Sequence, residues 1–273
     1  MLIPSSIPTI RITSPEGDEA TVSLFGAHVL SWKTADGQEE LYLSEHADFS
    51  RNKAIRGGIP ICFPQFADHG PGNFHGFART MMWHYVDDGK PSQARFRLSA
   101  TEETLSLWPH LFQVELLVAL TENQLSVMLQ VTNTGQKDFE FTAALHSYFR
   151  ISDIAHAKIN NLSGTSYLDK IDSLTNQIET RQAITFSGAC DRIYYDAPDT
   201  LYLHDQKRQL LIQSKNMPDT VLWNPGHEGS MKMADMPDED YKFMVCVEAG
   251  QIKSAITLKP NETWAGYQII TAL

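Results

Sequence analysis

Residues 112–149, FQVELLVALTENQLSVMLQVTNTGQKDFEFTAALHSYF, decide the fold class of this chain. Apolar and polar residues alternate in the segments FQVELLVAL, QLSVMLQVTNT and FEFTAALHSYF, and many of the apolar residues are β-branched or aromatic. Alternation with a period of two is typical of strands that bury one face. The turn-forming stretches TEN and NTGQKD separate the three segments. The region therefore predicts consecutive β-strands.

The same strand pattern continues in both directions along the chain. Strand-like segments include TIRIT, ATVSLF, HVLSWK, ELYL and ARFRLSA before this region and QAITF, QLLIQS, DTVLWN, FMVCVEA, SAITLKP and ETWAGYQII after it. Helical segments are few and short: TLSLWPH near Leu105 and a turn around Lys232 to Met236. No linker divides the chain. The pattern predicts an all-β protein, a large sandwich or barrel with few short helices, as a single domain over residues 1–273.

The charge balance restricts the class of partner. The chain of 273 residues has 22 Lys and Arg against 33 Asp and Glu, which gives a formal net charge of −11. A nucleic-acid partner is not expected, because phosphate backbones bind broad basic patches. A single small phosphate group remains possible, since a few local Arg or Lys side chains hold it within an acidic protein.

Cysteine usage and the N-terminus predict a cytoplasmic protein with no membrane segment. Cys62, Cys190 and Cys246 are odd in number and lie in apolar settings, so three buried thiols in a reducing compartment are expected. The N-terminal MLIPSSIPTIRI lacks the basic and apolar regions of a signal peptide. No apolar run approaches membrane-spanning length.

The segment RGGIPICFPQFADHGPGNFHGFART, residues 56–80, has the period of neither a helix nor a half-buried strand. It contains five Gly, three Pro and four Phe. A loop of this length in a compact domain is usually functional or disordered. The four Phe rings favour order because they can anchor the loop on a core, and the Gly residues permit close approach to a ligand. We therefore predict a rigid loop that forms one wall of a binding site.

Three side chains of this loop are suited to a sugar phosphate. Arg56 and Arg79 bracket the loop, and a guanidinium group presents a fork of donors that matches phosphate or carboxylate. The alternative is that both arginines are solvated at the surface. His75 lies in FHGF, and its spacing from His69 and His84 matches no common metal motif. We expect it to hydrogen-bond a hydroxyl or a carbonyl group instead.

Two further side chains are suited to acid–base chemistry. His146 ends the strand segment FTAALHSYF among small and hydroxylated residues, so it lines a concave sheet face or is a satisfied core histidine. Glu248 is the only charge in the apolar strand FMVCVEA, so it is a pocket base or a strand end that reaches solvent. Asp191 and Arg192 in CDRIYY are the last polar pair, with a surface ion pair as the alternative to a site role.

The segments RGGIPICFPQF, HGFAR, HSYF, DRIY, WNP and VCVEAG occur in this order between residues 56 and 250. Together they resemble the glucose-6-phosphate 1-epimerases (hexose-6-phosphate mutarotases) of the aldose 1-epimerase, or galactose mutarotase-like, superfamily. The resemblance implies a large antiparallel β-sandwich with an open, concave carbohydrate site. It implies these roles: His146 as general acid, Glu248 as general base, His75 and Asp191 as binders of sugar hydroxyls, and Arg56 and Arg79 as binders of the phosphate.

The implied activity is the interconversion of α and β anomers of a hexose 6-phosphate, with glucose 6-phosphate as the expected substrate. The base removes the proton of the C1 hydroxyl while the acid protonates the ring oxygen. No metal or other cofactor is needed, and the expected enzyme is a monomer. A carboxylate beside the imidazolium is expected to raise the histidine pKa and to have its own pKa lowered. Two segments, WNPG and VEAG, depart from the usual family pattern, and both are expected near the rim of the site.

Three alternatives stay open at this stage. An aldose 1-epimerase of unphosphorylated sugars would use the same residues without the phosphate contacts. A non-catalytic carbohydrate-binding module would keep the fold with an idle acid–base pair. A metal-dependent barrel enzyme would draw on the ten His residues.

Overall fold

The computed structural model describes residues 3–4, 7–172 and 176–273. The strands in these residues are β1 (Thr9–Thr13), β2 (Glu19–Ser23), β3 (His28–Lys33), β4 (Ile61–Cys62), β5 (His84–Val86), β6 (Gln93–Ser99), β7 (Phe112–Thr121), β8 (Gln124–Asn133), β9 (Phe139–Leu145), β10 (Tyr148–Arg150), β11 (Lys158–Asn160), β12 (Ser166–Asp169), β13 (Asn176–Ile178), β14 (Ala183–Thr185), β15 (Cys190–Tyr195), β16 (Thr200–His204), β17 (Gln209–Lys215), β18 (Asp219–Asn224), β19 (Met244–Leu258) and β20 (Thr263–Ala272). The α-helices are α1 (Glu102–Leu107) and α2 (Gly226–Ser230), and short 3₁₀ helices span Ala78–Thr80, Ile154–His156 and Asp240–Phe243.

The described strands form three antiparallel sheets, so the predicted all-β class is confirmed. One sheet has the order β14-β11-β16-β17-β20-β8-β7-β6-β5, and a second has the order β13-β12-β15-β18-β19-β9-β4, with β10 also paired to β19. A small third sheet joins β1, β2 and β3. Apolar side chains from all three sheets belong to one contiguous core. The second sheet carries the residues of interest, and we call it the site sheet.

The stretch that decides the fold class forms the predicted strands. β7 and β8 pair over their full lengths, from Phe112 opposite Asn133 to Thr121 opposite Gln124. Burial alternates strictly along β8, which matches its alternation of apolar and polar residues. Asn123 in the turn has a φ of 52°, a left-handed conformation that asparagine adopts more readily than most residues. Local alternation and turn chemistry were sufficient signals here.

The segment 56–80 is more regular than its sequence suggests. Ile61 and Cys62 form β4 and pair with β9, and the segment ends in a 3₁₀ turn. A two-residue strand shows no period, so periodicity could not reveal it. Gly76 has a φ of 67° and lies against the backbone of Phe63. A Cβ atom at position 76 would be 2.1 Å from the Phe63 carbonyl oxygen. Only glycine fits at this crossing.

The prediction that all four phenylalanines anchor this segment is wrong for one of them. Phe63, Phe66 and Phe77 are buried, with Phe63 in edge-to-face contact with Phe77. Phe74 is 58% exposed. Three buried rings still account for a well-packed segment, because each fully buried phenylalanine contributes about 1.5–3 kcal/mol.

The predicted helical segment near Leu105 is α1. Thr101 precedes the helix, and its hydroxyl accepts a hydrogen bond from the Thr104 amide at its start. The predicted turn at Lys232 follows directly after α2, which the sequence did not indicate. No helix among the described residues is long and apolar enough to cross a bilayer.

Candidate active site

Strand β19 divides its side chains between the core and the opposite face of the site sheet. Val245, Val247 and Ala249 pack into the shared core, while Cys246 and Glu248 alternate with them and point to the other face. The interstrand register extends this outer face into a row: Asp191 lies opposite Trp223, Trp223 opposite Cys246, and Cys246 opposite Tyr148. Alternation along one strand and pairing across four strands thus bring distant residues together.

The two predicted acid–base residues meet at this face. His146 follows β9, and its Nδ1 atom lies 3.4 Å from the Oε1 atom of Glu248. The residues are 8% and 2% exposed, so neither is a solvated strand end. Within the described part of the chain, His146 Nδ1 and Glu248 Oε2 are buried without a hydrogen-bond partner. Unpaired buried polar atoms are rare and often mark functional sites.

Aromatic rings and the segment 56–80 fix the imidazole of His146. The ring stacks on Tyr148 with centroids 4.9 Å apart and an interplanar angle of 8°, and Trp223 approaches it edge-on at 6.2 Å. The backbone amide of His146 donates to the Pro60 carbonyl oxygen at 3.0 Å. The segment 56–80 thus contacts His146 directly.

The electrostatic environment differs from the expected one. Burial, with help from Asp191, raises the pKa of Glu248 well above its ordinary value. Burial lowers the pKa of His146 well below its ordinary value, and nearby His75, Arg79 and Arg56 lower it further. The expected mutual stabilisation of two charges is therefore wrong for the free protein. Removal from water outweighs the attraction across 3.4 Å, so burial disfavours the charged form of both side chains.

His75 lies beside His146, with ring centroids 5.3 Å apart. Its Nδ1 atom accepts a hydrogen bond from the Ala67 amide at 3.1 Å and lies 3.2 Å from the Cys62 sulfur atom. Burial, with Arg79, Lys170 and Arg56 nearby, lowers the pKa of His75 to about 3. The neutral ring therefore carries its proton on Nε2, which suits it to donate to a sugar hydroxyl.

The two arginines have different environments. Arg56 donates from Nη1 to the Tyr148 hydroxyl at 3.0 Å, and its Nε atom lies 3.3 Å from Asp235 Oδ1. Arg79 donates from Nη2 to the Phe74 carbonyl oxygen at 2.8 Å and so also braces the segment 56–80. Neither is a free surface arginine, and both positive charges lower the pKa of His146.

Asp191 does not pair with Arg192, because neighbouring residues on a strand point to opposite faces. Its Oδ2 atom lies 3.6 Å from Nζ of Lys170, and Arg192 donates to Asp169 at 2.8 Å. Burial raises the pKa of Asp191. Sequence reasoning missed Lys170, since nothing local distinguishes it. Only the pairing of β12 with β15 brings it to the site.

The two departures from the family pattern have structural explanations. In WNPG, Gly226 has a φ of 64° and a Cβ there would lie 2.7 Å from the Ala189 amide nitrogen. The glycine is thus required by local packing. In VEAG, Ala249 lies in the core opposite Leu145. The expectation that both departures lie at the site rim is wrong for Ala249.

Potential metal ligands in the described residues also converge at this site. One ligand atom from each of His146, Cys246 and Glu248 lies within 4.8 Å of the others.

The pH dependence of activity should report the pair as a unit. If His146 and Glu248 act as the acid–base pair that the sequence predicts, the profile of kcat/KM should be bell-shaped, because only the form of the pair with one proton would then be active. Glu248→Gln leaves His146 as the only titrating group of the pair. Because burial lowers the pKa of His146, its imidazolium loses the proton at a lower pH than an ordinary histidine does. Its residual activity should therefore lack the acidic limb and fall at lower pH than the wild type. An alkaline limb that stays in place would show that the two groups are not coupled.

The chain is similar to known proteins over most of its length. The sequence model of the family Aldose 1-epimerase matches residues 8–271. A protein of Cenchrus ciliaris named "Putative glucose-6-phosphate 1-epimerase" is 36% identical over 99% of this chain and 86% of its own length. A protein of the same name from Escherichia coli K12 is 35% identical over 84% of this chain and 79% of its own length. The crystal structure of "a putative mutarotase (YeaD) from Salmonella typhimurium" superposes with a TM-score of 0.89 at 30% identity, covering 97% of this chain and 90% of the other.

Proposed function

The chain belongs to the aldose 1-epimerase family, and from this premise we propose that it interconverts the α and β anomers of glucose 6-phosphate with His146 and Glu248 as the acid–base pair. Membership makes it an isomerase that acts on a small-molecule sugar. The observation that carries the assignment of residues is the close approach of His146 Nδ1 to Glu248 Oε1, at 3.4 Å, with a further buried atom of Glu248 left unpartnered among the described residues.

In the reaction, the Glu248 carboxylate removes the proton of the C1 hydroxyl, and the His146 imidazolium gives a proton to the ring oxygen. The bond between C1 and the ring oxygen breaks, which leaves an open-chain aldehyde. The C1–C2 bond rotates, and the ring closes on the other face of the aldehyde. In closure Glu248 returns its proton to the oxygen on C1, and His146 recovers a proton from the attacking hydroxyl. The pair thus ends as it began.

The pKa shifts increase the reactivity of the charged form of the pair, which consists of the Glu248 carboxylate and the His146 imidazolium. A carboxylate whose pKa is raised by burial is a stronger base, and an imidazolium whose pKa is lowered by burial is a stronger acid. One shared proton moves from Glu248 to His146 to give this form. The same burial that disfavours the charged form in the free protein therefore makes that form more reactive towards a bound sugar.

The phosphate preference rests on Arg56 and Arg79. Arg56 donates to the hydroxyl of Tyr148, whose ring stacks on His146, and Arg79 donates to the carbonyl oxygen of Phe74, the residue before His75. The chain as a whole is acidic, with a formal net charge of −11, so these arginines form a local positive region rather than part of a basic surface. A guanidinium group binds phosphate with charge-assisted hydrogen bonds.

The sugar ring would be held by contacts of its hydroxyl groups with His75 and Asp191. His75 offers an Nε2–H donor, because its Nδ1 accepts from the Ala67 amide. Asp191, held by Lys170 at 3.6 Å, offers acceptor oxygens on the same face. Donors and acceptors of this kind select the orientation of a sugar without taking part in proton transfer.

We further propose that residues 1–273 act as one domain, as a monomer, in the cytoplasm. The core shared by the three sheets supports a single domain. The free, buried thiols Cys62, Cys190 and Cys246 support a reducing compartment.

Magnetisation transfer between the anomeric protons of glucose 6-phosphate tests the activity. The proposal expects catalytic amounts of the protein to accelerate exchange strongly above the spontaneous rate. A non-catalytic carbohydrate-binding module would change the ligand signals without accelerating exchange. That result would overturn the proposed function.

The exchange should survive complete chelation of metal ions. Both proton transfers are assigned to side chains, so prolonged dialysis against EDTA should not lower kcat/KM. The measurement is the exchange rate before and after dialysis, with total metal determined on the same sample. Loss of activity that a divalent ion restores would favour the metal-dependent alternative.

A further inference from the structure

Cys246 stands beside the acid–base pair without a role in the proposed reaction. It lies opposite Tyr148 and two residues before Glu248, on the same face of the site sheet. It is fully buried, and a ring nitrogen of His146, the thiol sulfur and a carboxylate oxygen of Glu248 all lie within 4.8 Å of one another. Anomer exchange uses the imidazole and the carboxylate but needs no thiol.

The polar atoms of this cluster are incompletely partnered. His146 Nδ1 and Glu248 Oε2 are buried and have no hydrogen-bond partner in the described residues. The exposed fractions are 8% for His146 and 2% for Glu248, so water does not cover these side chains freely. His146, Cys246 and Glu248 thus bring three possible ligand atoms together, and two of these side chains carry a buried atom without a partner among the described residues. The cluster can therefore bind a further ion.

We propose that His146, Cys246 and Glu248 form a binding site for a thiophilic divalent cation, of the Zn²⁺ class, which inhibits the enzyme by occupying the acid–base pair. The metal site stands on this geometry alone, whereas its inhibitory effect rests on the proposed function. Sulfur, imidazole nitrogen and one carboxylate oxygen are the ligands that zinc prefers, while magnesium and calcium prefer oxygen alone.

The distances permit zinc after a small movement. Zinc lies about 2.3 Å from sulfur and about 2.0–2.1 Å from nitrogen, so tetrahedral ligand atoms are about 3.5 Å apart. The three ligand atoms now lie within 4.8 Å of one another, so the side chains must move about 1 Å closer together to bind zinc. Three protein ligands leave a fourth position for water.

Binding is balanced by the release of protons. The thiol of Cys246 loses its proton to the buffer as the sulfur–zinc bond forms, and Glu248 must also be ionised to act as a ligand. Zinc bound in this way holds both proton-transfer groups. It therefore competes with the sugar and stops exchange, and removal of zinc restores the pair.

The experiment uses the metal-depleted full-length protein and two matched variants. Zn²⁺ binding is measured by calorimetry on the wild type, on Cys246→Ser and on Cys190→Ser, which changes a buried thiol outside the cluster. We expect the wild type and Cys190→Ser to bind one ion per chain. Loss of a ligand should weaken binding in Cys246→Ser by about tenfold or more, since changes beyond the ligands already cost about 10–100-fold.

Activity supplies the second readout. Zinc should stop exchange of glucose 6-phosphate by the wild type, more glucose 6-phosphate should relieve the effect, and EDTA should reverse it. In metal-free buffer Cys246→Ser should exchange anomers like the wild type and should resist zinc. Equal zinc affinity in the wild type and a folded Cys246→Ser would overturn the site.

An absorption spectrum of the wild type with Co²⁺ tests the metal site independently of any variant. A thiolate ligand gives an intense charge-transfer band in the near ultraviolet, which we expect at one equivalent of cobalt. No band and no zinc binding would contradict the metal site. A band with zinc binding, but no anomer exchange by the metal-free protein, would uphold the site and reject the proposed function instead.

Discussion

His146→Asn and Glu248→Gln should each lower kcat/KM for anomer exchange of glucose 6-phosphate by about 10²–10⁴-fold, the usual contribution of a general acid or base. Glu248→Gln keeps the shape of the side chain, His146→Asn replaces the ring with a smaller polar amide, and both remove the capacity to transfer a proton. Because the pair shares one proton across 3.4 Å, we also expect the double variant to lose little more than either single variant. Exchange measured by magnetisation transfer provides the rates.

Two matched variants control for the change of residue type. His84→Asn and Glu140→Gln alter an exposed histidine and an exposed glutamate that lie outside the site. Both should retain wild-type exchange. Wild-type rates in His146→Asn or in Glu248→Gln would remove that residue from its role, provided that both variants give the circular dichroism spectrum of the wild type.

Arg56→Met should weaken kcat/KM for glucose 6-phosphate about tenfold or more and spare any activity on glucose. Charge-assisted hydrogen bonds contribute about 1.5–3 kcal/mol each, and about 1.4 kcal/mol corresponds to a factor of ten. Arg79→Met should act in the same direction. Because Arg79 also donates to the Phe74 carbonyl oxygen, its loss should cost part of the activity on glucose as well.

The ion pair of Arg56 with Asp235 calls for a specific control. Arg56→Met leaves Asp235, whose side chain is 11% exposed, without its partner. The double variant Arg56→Met/Asp235→Asn removes that stranded charge and should show the same sugar preference as the single variant. Arg11→Met, which changes an exposed arginine of β1, should have no effect on either sugar. Equal losses on both sugars would mean that Arg56 supports the site's structure instead of binding the phosphate.

Local pattern was sufficient to predict most of the architecture. Alternation identified long strands such as β7 and β8, whose polar and apolar faces differ at every step. The two-residue strand β4 was missed, because its partner β9 lies about 80 residues away in the chain and periodicity reports only local order. Strands such as β11 and β13 were missed for a similar reason: they are three residues long and rich in polar residues.

The residues of the site were easier to predict than their electrostatics. His146 and Glu248 are unusual within apolar strands, so the sequence marks them. The directions in which their pKa values shift depend on burial and on charged neighbours from other parts of the chain. The sequence of a single strand shows neither. Lys170 has no local signal of any kind, although it contacts Asp191 and acts on the pKa of Glu248.

The most direct test is the ratio of kcat/KM for glucose 6-phosphate to that for glucose, measured side by side by magnetisation transfer on one preparation. The paired arginines predict a ratio of at least about tenfold in favour of the phosphorylated sugar. The ratio should fall towards one in Arg56→Met. A wild-type protein that exchanges glucose as efficiently as glucose 6-phosphate would contradict the proposal and would favour an aldose 1-epimerase of unphosphorylated sugars.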